Sequence, residues 1–202
     1  MSAIESLIAS EPVAEHFRRS SETLSRAADD PKFHAAIHSI ADAIIRAFRE
    51  GHKLLIAGNG GSAADAQHIA AEFVNRFMIE RPPLPAIALT TDTSILTSIA
   101  NDYSYNEVFA KQVLALGKEG DVAVALSTSG NSPNVIAAID VCKRTNITTI
   151  GLTGGTGGQM AGKVEFLLNV SEGRKSARIQ ETHILVAHVI CDLVDQRLFP
   201  SK

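Results

Sequence analysis

The sequence contains little cysteine, no tryptophan and no block of basic residues. Its 202 residues include two cysteines, Cys142 and Cys191, which form neither a CxxC pair nor a zinc-finger spacing. We therefore interpret both as reduced core thiols in a reducing compartment. Lys and Arg (19) are interspersed with Asp and Glu (22), giving a formal net charge of −3. Nucleic acid is thus not an expected partner, and an anionic substrate would need a local binding site.

The chain also lacks a long apolar run and a basic N-terminal segment. Residues 1–10 include Glu5 and have no basic region of the kind that begins a signal peptide. The longest mostly apolar run, 184–194, contains His188 and Asp192 and is too short to cross a bilayer. We expect no membrane association and a cytoplasmic location.

Short apolar segments alternate with segments of helical periodicity. Strands are predicted at 53–57, 85–89, 122–126, 148–152 and 165–170, and helices at 4–28, 32–50, 62–76, 93–100, 104–116, 133–145 and 176–198. This alternation predicts an α/β fold with a parallel sheet covered on both faces. No linker divides the chain, so we predict one domain over 1–202, with a helical N-terminal arm (1–50) and an α/β core (51–202).

Polar, glycine-rich loops follow three of the predicted strands, at 58–62, 127–132 and 153–158. Ligands of such folds bind beyond the carboxyl ends of the strands, where all three loops would lie. The loop 127–132 has four hydroxyls and precedes Pro133, which suits the first turn of a helix. Hydroxyls and free amides at a helix N-terminus can hold a phosphate without Lys or Arg. A simpler interpretation is that Ser132 only caps the helix, but four hydroxyls exceed what a cap needs.

The other two loops are less specific. The sequence at 58–62, Gly-Asn-Gly-Gly-Ser, matches neither a GxGxxG motif nor a Walker A loop. Its glycines allow close backbone approach to a ligand, but a tight turn capped by Ser62 explains them equally well. We interpret 153–158 as a flexible connection.

A polar stripe follows the first loop on the predicted helix 62–76. Asp65, His68, Glu72 and Arg76 are spaced by three, four and four residues. His68 and Glu72 can therefore reach one metal ion or one substrate, and Asp65 could hold the far ring nitrogen of His68. A solvated charged face would give the same pattern. The position of the stripe directly after a glycine-rich loop favours a metal or substrate site.

The last predicted helix, 176–198, is apolar on more than one face, as is typical of a helix buried in a subunit interface. It contains two histidines, His183 and His188, and spacing alone does not select between them. A stripe that includes Asp195 would be explained by a solvated face.

Several motifs occur together and in order: Gly58-Asn-Gly-Gly-Ser62, Asp65-x-x-His68-x-x-x-Glu72, Asn101-Asp102-Tyr103, Ser127-Thr-Ser-Gly-Asn-Ser132, and Ala177-Arg-Ile-Gln-Glu181 with His188. In this respect the chain closely resembles, over nearly its whole length, the sedoheptulose 7-phosphate isomerases of the sugar-isomerase (SIS) fold. The resemblance implies a doubly wound five-stranded parallel sheet and a homotetramer with sites between subunits. It implies conversion of D-sedoheptulose 7-phosphate to D-glycero-D-manno-heptose 7-phosphate, the first step towards the activated heptose of bacterial surface polysaccharides.

The resemblance also implies roles for particular residues. The phosphate-binding residues of the family match Ser127, Thr128, Ser129 and Ser132. Its other substrate contacts match Asn59, Gly60, Gly61, Glu72, Asn101, Asp102 and Gln180. Its acid/base pair matches Glu72 and His188, and its zinc ligands match His68, Glu72, Gln180 and His188. An enediol mechanism needs a base at carbon, for which we expect Glu72, and an acid or electrophile at oxygen, for which we expect His188.

Two features do not fit simply. A Gln amide is an unusual zinc ligand, so the ion is expected to be weakly held. Gln180 and His188 are also about 12 Å apart along one helix, which favours ligands from different subunits. Some family members have an acidic residue where Ala177 stands here, so one sugar contact is expected to be absent or replaced.

Three alternative functions remain open. Some SIS-fold relatives are tetrameric adaptors for a replication initiator protein, but this chain keeps Glu72 and His188, which those adaptors lack. A sugar-phosphate-sensing regulator is less expected because no helix-turn-helix extension is present. An isomerase of another sugar phosphate is the nearest enzymatic alternative.

Overall fold

Five parallel strands form one sheet in the order β2-β1-β3-β4-β5 in the computed structural model, which describes residues 12–171 and 175–200. The strands are β1 (Leu54–Gly58), β2 (Ala86–Ala88), β3 (Val122–Leu126), β4 (Thr148–Gly154) and β5 (Phe166–Val170). Because β1 lies between β2 and β3, the strand order reverses at β1 and opens the ligand crevice typical of doubly wound sheets. The predicted five-stranded parallel sheet is confirmed.

Seven α-helices flank the sheet in the described part of the chain. They are α1 (Pro12–Ala28), α2 (Pro31–Arg49), α3 (Gly61–Val74), α4 (Thr93–Asp102), α5 (Val108–Leu116), α6 (Pro133–Arg144) and α7 (Ser176–Leu198). Short 3₁₀ turns occupy Tyr105–Glu107 and Gly158–Gly162. The start of the predicted helix 4–28 lies outside the described residues. None of the described helices is both long and apolar enough to span a bilayer.

The sheet separates two apolar clusters because successive side chains of a strand point to opposite faces. Leu54 and Ile56 pack with buried residues of α2, α3 and α7 on one face. Leu55 and Ala57 pack with α5 and α6 on the other. Within the predicted N-terminal arm, α2 thus packs on the sheet, whereas α1 is joined to α7 by Arg178, which donates to His16 and Ser20.

Local signals set the helix boundaries. The Asp30 side chain accepts a hydrogen bond from the Lys32 N–H (2.8 Å), and Pro31 occupies the first turn of α2. Past its end, Gly51 has a φ of 82°, which glycine adopts without steric cost. The same preference for proline in a first turn starts α6 at Pro133.

A buried carboxylate joins the loops before β1 and β3, at the edge opposite the glycine-rich loops. Asp121 accepts hydrogen bonds from the Lys53 ammonium (2.5 Å) and from the backbone N–H groups of Lys53 (3.1 Å) and Lys118 (2.8 Å). Burial alone would raise the pKa of Asp121, but these hydrogen bonds outweigh it and hold that pKa below its usual value.

Replacement of Asp121 by Asn should lower the free energy of unfolding at pH 7 by about 2 kcal/mol, because the charge-assisted hydrogen bonds are lost. A carboxylate with a depressed folded-state pKa stabilises above its unfolded pKa, about 3.9, and that contribution is lost as the pH falls through the folded pKa. Urea unfolding of both proteins at pH 7 and pH 3 should therefore show a difference that shrinks at pH 3. Asp140→Asn is the control because its ion pair with Lys163 is partly exposed and should contribute under about 1 kcal/mol. A difference between wild type and Asp121→Asn that does not vary with pH would contradict this account.

Candidate active site

The loop 127–132 turns from β3 into α6 and brings its hydroxyls together. The Ser127 and Ser132 hydroxyls share a hydrogen bond of 2.9 Å. Ser132 stands at the N-cap position of α6, but its side chain makes no capping hydrogen bond there. The simpler interpretation of Ser132 as only a helix cap is therefore wrong. At the start of α6, Pro133 has no N–H and the Val135 N–H donates to the Asn134 side chain (2.9 Å), so the N–H groups of Ser132 and Asn134 are the ones this end of the helix offers an anion.

A second helix N-terminus reaches the same loop. The Thr128 hydroxyl donates to the Ser176 hydroxyl (3.3 Å) in the first turn of α7. The positive dipole ends of α6 and α7 thus flank one set of hydroxyls, an arrangement suited to a phosphate. Ser129 is exposed, and its hydroxyl accepts from the Asn131 N–H (3.2 Å).

The region 153–158 supports this loop and is not a flexible connection. Thr153 is buried and belongs to β4, which extends to Gly154. Gly130 has a φ of 65°, and a Cβ atom there would overlap the carbonyl group of Gly157. The Met160 N–H also donates to the Gly130 carbonyl (3.0 Å). The prediction for 153–158 was wrong because glycine content gave no indication of these contacts.

The loop after β1 is anchored by side-chain amides. Asn59 donates to Asn134 (2.8 Å), Asn134 donates back to Asn59 (2.9 Å), and the Tyr105 hydroxyl donates to Asn59 (3.1 Å). Gly60, with a φ of 57°, is the N-cap of α3, while Ser62 is buried inside the helix and does not cap it. Asn134 and Tyr105 were not predicted, because neither stands in a glycine-rich loop.

Asn101 and Asp102 end α4 and are both exposed. The Asn101 amide donates to the Asp102 carboxylate (2.8 Å), so the two predicted substrate contacts form one polar pair. The neighbouring Tyr103 ring lies under the Lys111 ammonium, 3.3 Å from the ring centroid.

One cluster with metal-binding geometry is present in the described residues, formed by His68, Glu72 and His188. Among the described His, Cys, Asp and Glu side chains, only these three bring ligand atoms within 4.8 Å of one another as a group. His68 Nε2 is 2.9 Å from Glu72 Oε1 and 3.2 Å from His188 Nε2. The Phe77 ring stacks on His188 with centroids 5.3 Å apart. The polar stripe on α3 is therefore not merely a solvated face.

The donor set of this cluster suits zinc. Imidazole nitrogens and a carboxylate oxygen are usual zinc ligands. Bonds of about 2.0–2.1 Å in a tetrahedral site would separate neighbouring ligand atoms by about 3.3 Å. The observed 2.9 and 3.2 Å are close to that separation. The three side chains could thus hold one ion with little rearrangement.

The other histidine of α7 has a different environment. His183 is fully buried, and its Nε2 is 3.1 Å from the Thr153 carbonyl oxygen. Burial lowers the pKa of His183 to about 4, although this hydrogen bond acts in the opposite direction. His183 is therefore neutral at physiological pH and joins α7 to β4, and of the two histidines it is His188 that reaches the cluster.

Two predicted neighbours of the cluster, Gln180 and Asp65, make no hydrogen bond to it in the described part of the chain. Gln180 lies against the start of α3, where a Cβ atom on Gly61 would be 2.5 Å from its amide nitrogen. Gly61 precedes His68 by two helical turns, about 10 Å, so Gln180 lies closer to the β1 loop than to the cluster of its own chain. Asp65 Oδ2 is buried without a hydrogen-bond partner in the described residues, and burial raises the pKa of Asp65 although nearby His68 lowers it. The expected Asp65–His68 hydrogen bond is thus not formed.

Comparisons with known proteins identify the family of the chain. The SIS domain family matches residues 15–154. The chain is 61% identical over 152 residues to a phosphoheptose isomerase of Nitratidesulfovibrio vulgaris (strain Hildenborough), covering 75% of this chain and 73% of that protein. It is 52% identical over 166 residues to one from Aneurinibacillus thermoaerophilus, covering 82% and 83%.

Solved structures extend the similarity to the three-dimensional fold. The structure of a phosphoheptose isomerase from Neisseria gonorrhoeae superposes with a TM-score of 0.86 at 45% identity, covering 92% of this chain and 98% of that one. This chain therefore belongs to the phosphoheptose isomerases of the SIS-domain family.

Proposed function

We propose that this protein is an aldose–ketose isomerase that converts D-sedoheptulose 7-phosphate to D-glycero-D-manno-heptose 7-phosphate. The observation that carries the proposal is the His68–Glu72–His188 cluster, in a chain that also places a hydroxyl-lined loop at two helix N-termini. The reaction would be the first step of ADP- or GDP-heptose biosynthesis and would supply heptose for lipopolysaccharide or related surface polysaccharides.

The chemistry transfers a proton between C1 and C2 through an enediol. Glu72 is the carbon base, and the hydrogen bond with His68 Nε2 orients its carboxylate. His188 moves the proton at the sugar oxygens, and stacking on Phe77 fixes the plane of its ring. The hydroxyls of Ser127, Thr128, Ser129 and Ser132, with the Asn134 N–H in the first turn of α6, bind the phosphate.

Zinc is the cofactor we propose, held by His68, Glu72 and His188 with Gln180 as a fourth ligand. Its contribution when bound would be to polarise the sugar carbonyl as a Lewis acid. The support is the donor set and the spacing of the three clustered ligand atoms. An amide is a weak zinc ligand, so the ion should exchange readily.

Distances along α7 support a site shared between subunits. Ser176, beside the phosphate loop, and His188, in the cluster, are separated by about 18 Å of helix at 1.5 Å per residue. The phosphate and C2 of a heptose 7-phosphate are separated by fewer than eight covalent bonds, about 9 Å at the extension of a polymer chain. Within one chain, the phosphate loop and the cluster are therefore too far apart to bind the two ends of one substrate molecule. We propose that the phosphate loop, residues 59–61 and Gln180 of one subunit face the cluster of another.

Apolar side chains around the cluster support the same assembly. Val74, Met78, Leu185 and Val189 are exposed in the single chain, at the end of α3 and on α7. Large apolar side chains left exposed in this way are typical of an interface. We propose that they are covered in a homotetramer, which also explains why α7 is apolar on more than one face.

A cytoplasmic location is our proposal for the compartment. Both cysteines are buried and free, and burial raises the pKa of Cys142 to about 12. Thiols that are buried, protonated and unpaired fit a reducing compartment.

The proposed function is tested by a turnover assay with sedoheptulose 7-phosphate, with added Zn²⁺ and separately with a chelator. We expect the aldose 7-phosphate to form with Zn²⁺ and its rate to fall with the chelator. An unchanged rate with the chelator would remove the metal from the mechanism. Absence of product in both conditions would contradict the proposed reaction, and other sugar phosphates and then binding to a replication initiator protein would be measured next.

Glu72→Gln should abolish turnover, with kcat at least about 100-fold lower, because Gln keeps the shape of Glu but cannot take a proton. Light scattering should show the same tetramer as the wild type. Glu80→Gln is a suitable control, since Glu80 is exposed and pairs with Arg76 rather than with a residue of the cluster. Normal activity in Glu72→Gln would refute the assignment of the carbon base.

A mixing experiment tests the shared site. Glu72→Gln and the double variant Ser127→Ala/Ser132→Ala should each be inactive at substrate concentrations near the wild-type KM. After joint unfolding and reassembly, about a quarter of the sites would combine an intact loop with an intact cluster from different chains. Recovery to about a quarter of wild-type activity is expected, whereas sites formed within one chain would give no recovery.

A further inference from the structure

We propose that Arg81 is a positioning residue for the cluster: it fixes α3 relative to α7, and so sets the distance between the His68–Glu72 pair and His188. Only the activity measurements proposed below depend on the isomerase function; the Zn²⁺ measurements do not. Neither Arg81 nor its partner Asp195 was predicted as part of the site; Asp195 was assigned to a solvated stripe, yet it is 2% exposed.

The Arg81 guanidinium binds the C-terminal end of α3. Its Nη2 donates to the Glu72 carbonyl (2.8 Å), and its Nη1 donates to the carbonyls of Phe73 (2.7 Å) and Asn75 (3.2 Å). The last carbonyls of a helix have no partners within the helix, and many helices satisfy them with a left-handed glycine. Here the C-cap residue of α3 is Asn75, with a φ of −88°, and the buried Arg81 side chain binds the last carbonyls instead.

The same guanidinium is bound to α7. Arg81 Nε donates to Asp195 Oδ1 at 2.8 Å, and both side chains are almost completely buried. Asp195 follows His188 by seven residues, two turns along the same face of α7. One planar group thus connects the backbone of the residue that bears the carboxylate with the helix that bears the histidine.

The segment between α3 and Arg81 also contacts the cluster. Phe77, whose ring stacks on His188, lies in the loop that Arg81 closes against the end of α3. Fixing Arg81 therefore restricts both the helix that carries Glu72 and the aromatic ring that orients His188.

Stability alone is a weak reason for this pair. A buried ion pair loses the hydration of both charges, and replacing it with apolar residues is often neutral or stabilising. Arg also presents five donors in a rigid fork, whereas Lys presents three on one flexible ammonium and cannot span the same set of acceptors. An arginine that contacts the site helix in this way fits a positioning role.

Arg81→Lys tests the positioning role, and Arg197→Lys is a control for changing an arginine–aspartate pair that involves the same helix, α7. Arg197 also lies on α7 and joins it to another helix, through Asp42 (2.5 Å) and His38 (2.7 Å) of α2, with no contact to the cluster. For both variants we would measure the melting temperature, kcat and KM for sedoheptulose 7-phosphate, and the dissociation constant of Zn²⁺ alone by competition with a chromophoric chelator.

We expect Arg81→Lys to lower kcat about 10- to 100-fold and to weaken Zn²⁺ binding by a similar factor, as for residues that orient metal ligands. KM should change little, because the phosphate loop is held by other elements. Arg197→Lys changes a partly exposed ion pair, so it should lower the melting temperature less and leave kcat and Zn²⁺ binding unchanged. Arg81→Lys with normal kcat and normal Zn²⁺ affinity would overturn the proposal.

Asp195→Asn provides the same test if Arg81→Lys does not fold, because Asn retains an oxygen acceptor for Arg81 Nε. It should shift kcat and Zn²⁺ affinity in the same direction by a smaller factor, and unchanged values would overturn the proposal. If the wild type does not isomerise sedoheptulose 7-phosphate, the proposed function fails, but the Zn²⁺ comparison still decides the role of Arg81.

Discussion

The packing of α3 against α7 is the constraint on which the candidate site depends, because neither helix carries the cluster alone. Gln180 lies against Gly61 at one end of this contact, and His188 meets His68 two turns further along. The helices therefore run side by side in the same direction. A glycine at position 61 allows the close approach, since any larger residue would displace the Gln180 amide.

The loop 127–132 is the proposed phosphate site of a chain whose formal net charge is −3. Hydroxyls of Ser127, Thr128 and Ser132 meet where α6 and α7 begin, so partial positive charge comes from backbone N–H groups. These groups are fixed by the fold and need no side-chain ordering. Gly130 permits the turn, and the Gly157 region supports it from β4.

The sequence allowed most of the fold to be predicted, because hydrophobic periodicity and glycine-rich loops are local signals. The strand Val122–Leu126 and the helix Ser176–Leu198 have the predicted bounds. The pairing of His68 with Glu72 followed from helical spacing, whereas the choice of His188 over His183 did not. That choice depends on which residue of α7 faces α3, a tertiary contact that spacing within one helix does not encode.

The parts of the site that were not predicted are polar contacts between residues far apart in the chain. None of the unpredicted residues stands in a motif. Asn134 looks like a surface residue of α6 until its reciprocal amide pair with Asn59 is seen. Arg81 stands before Pro82 in a segment without a motif, and Asp195 looks like part of a solvated stripe. Their roles depend on partners 75 and 114 residues away in the chain.

The proposed function gives Glu72 two roles that compete, since a carboxylate bound to a metal is a weaker base. The structure separates its contacts: its carbonyl is held by Arg81, while its side chain meets His68 through Oε1. A backbone fixed in this way lets the carboxylate rotate about its own side-chain torsions while α3 stays in place. In the proposed mechanism, Glu72 would therefore bind the metal through one oxygen and take the proton through the other without moving the helix that carries His68.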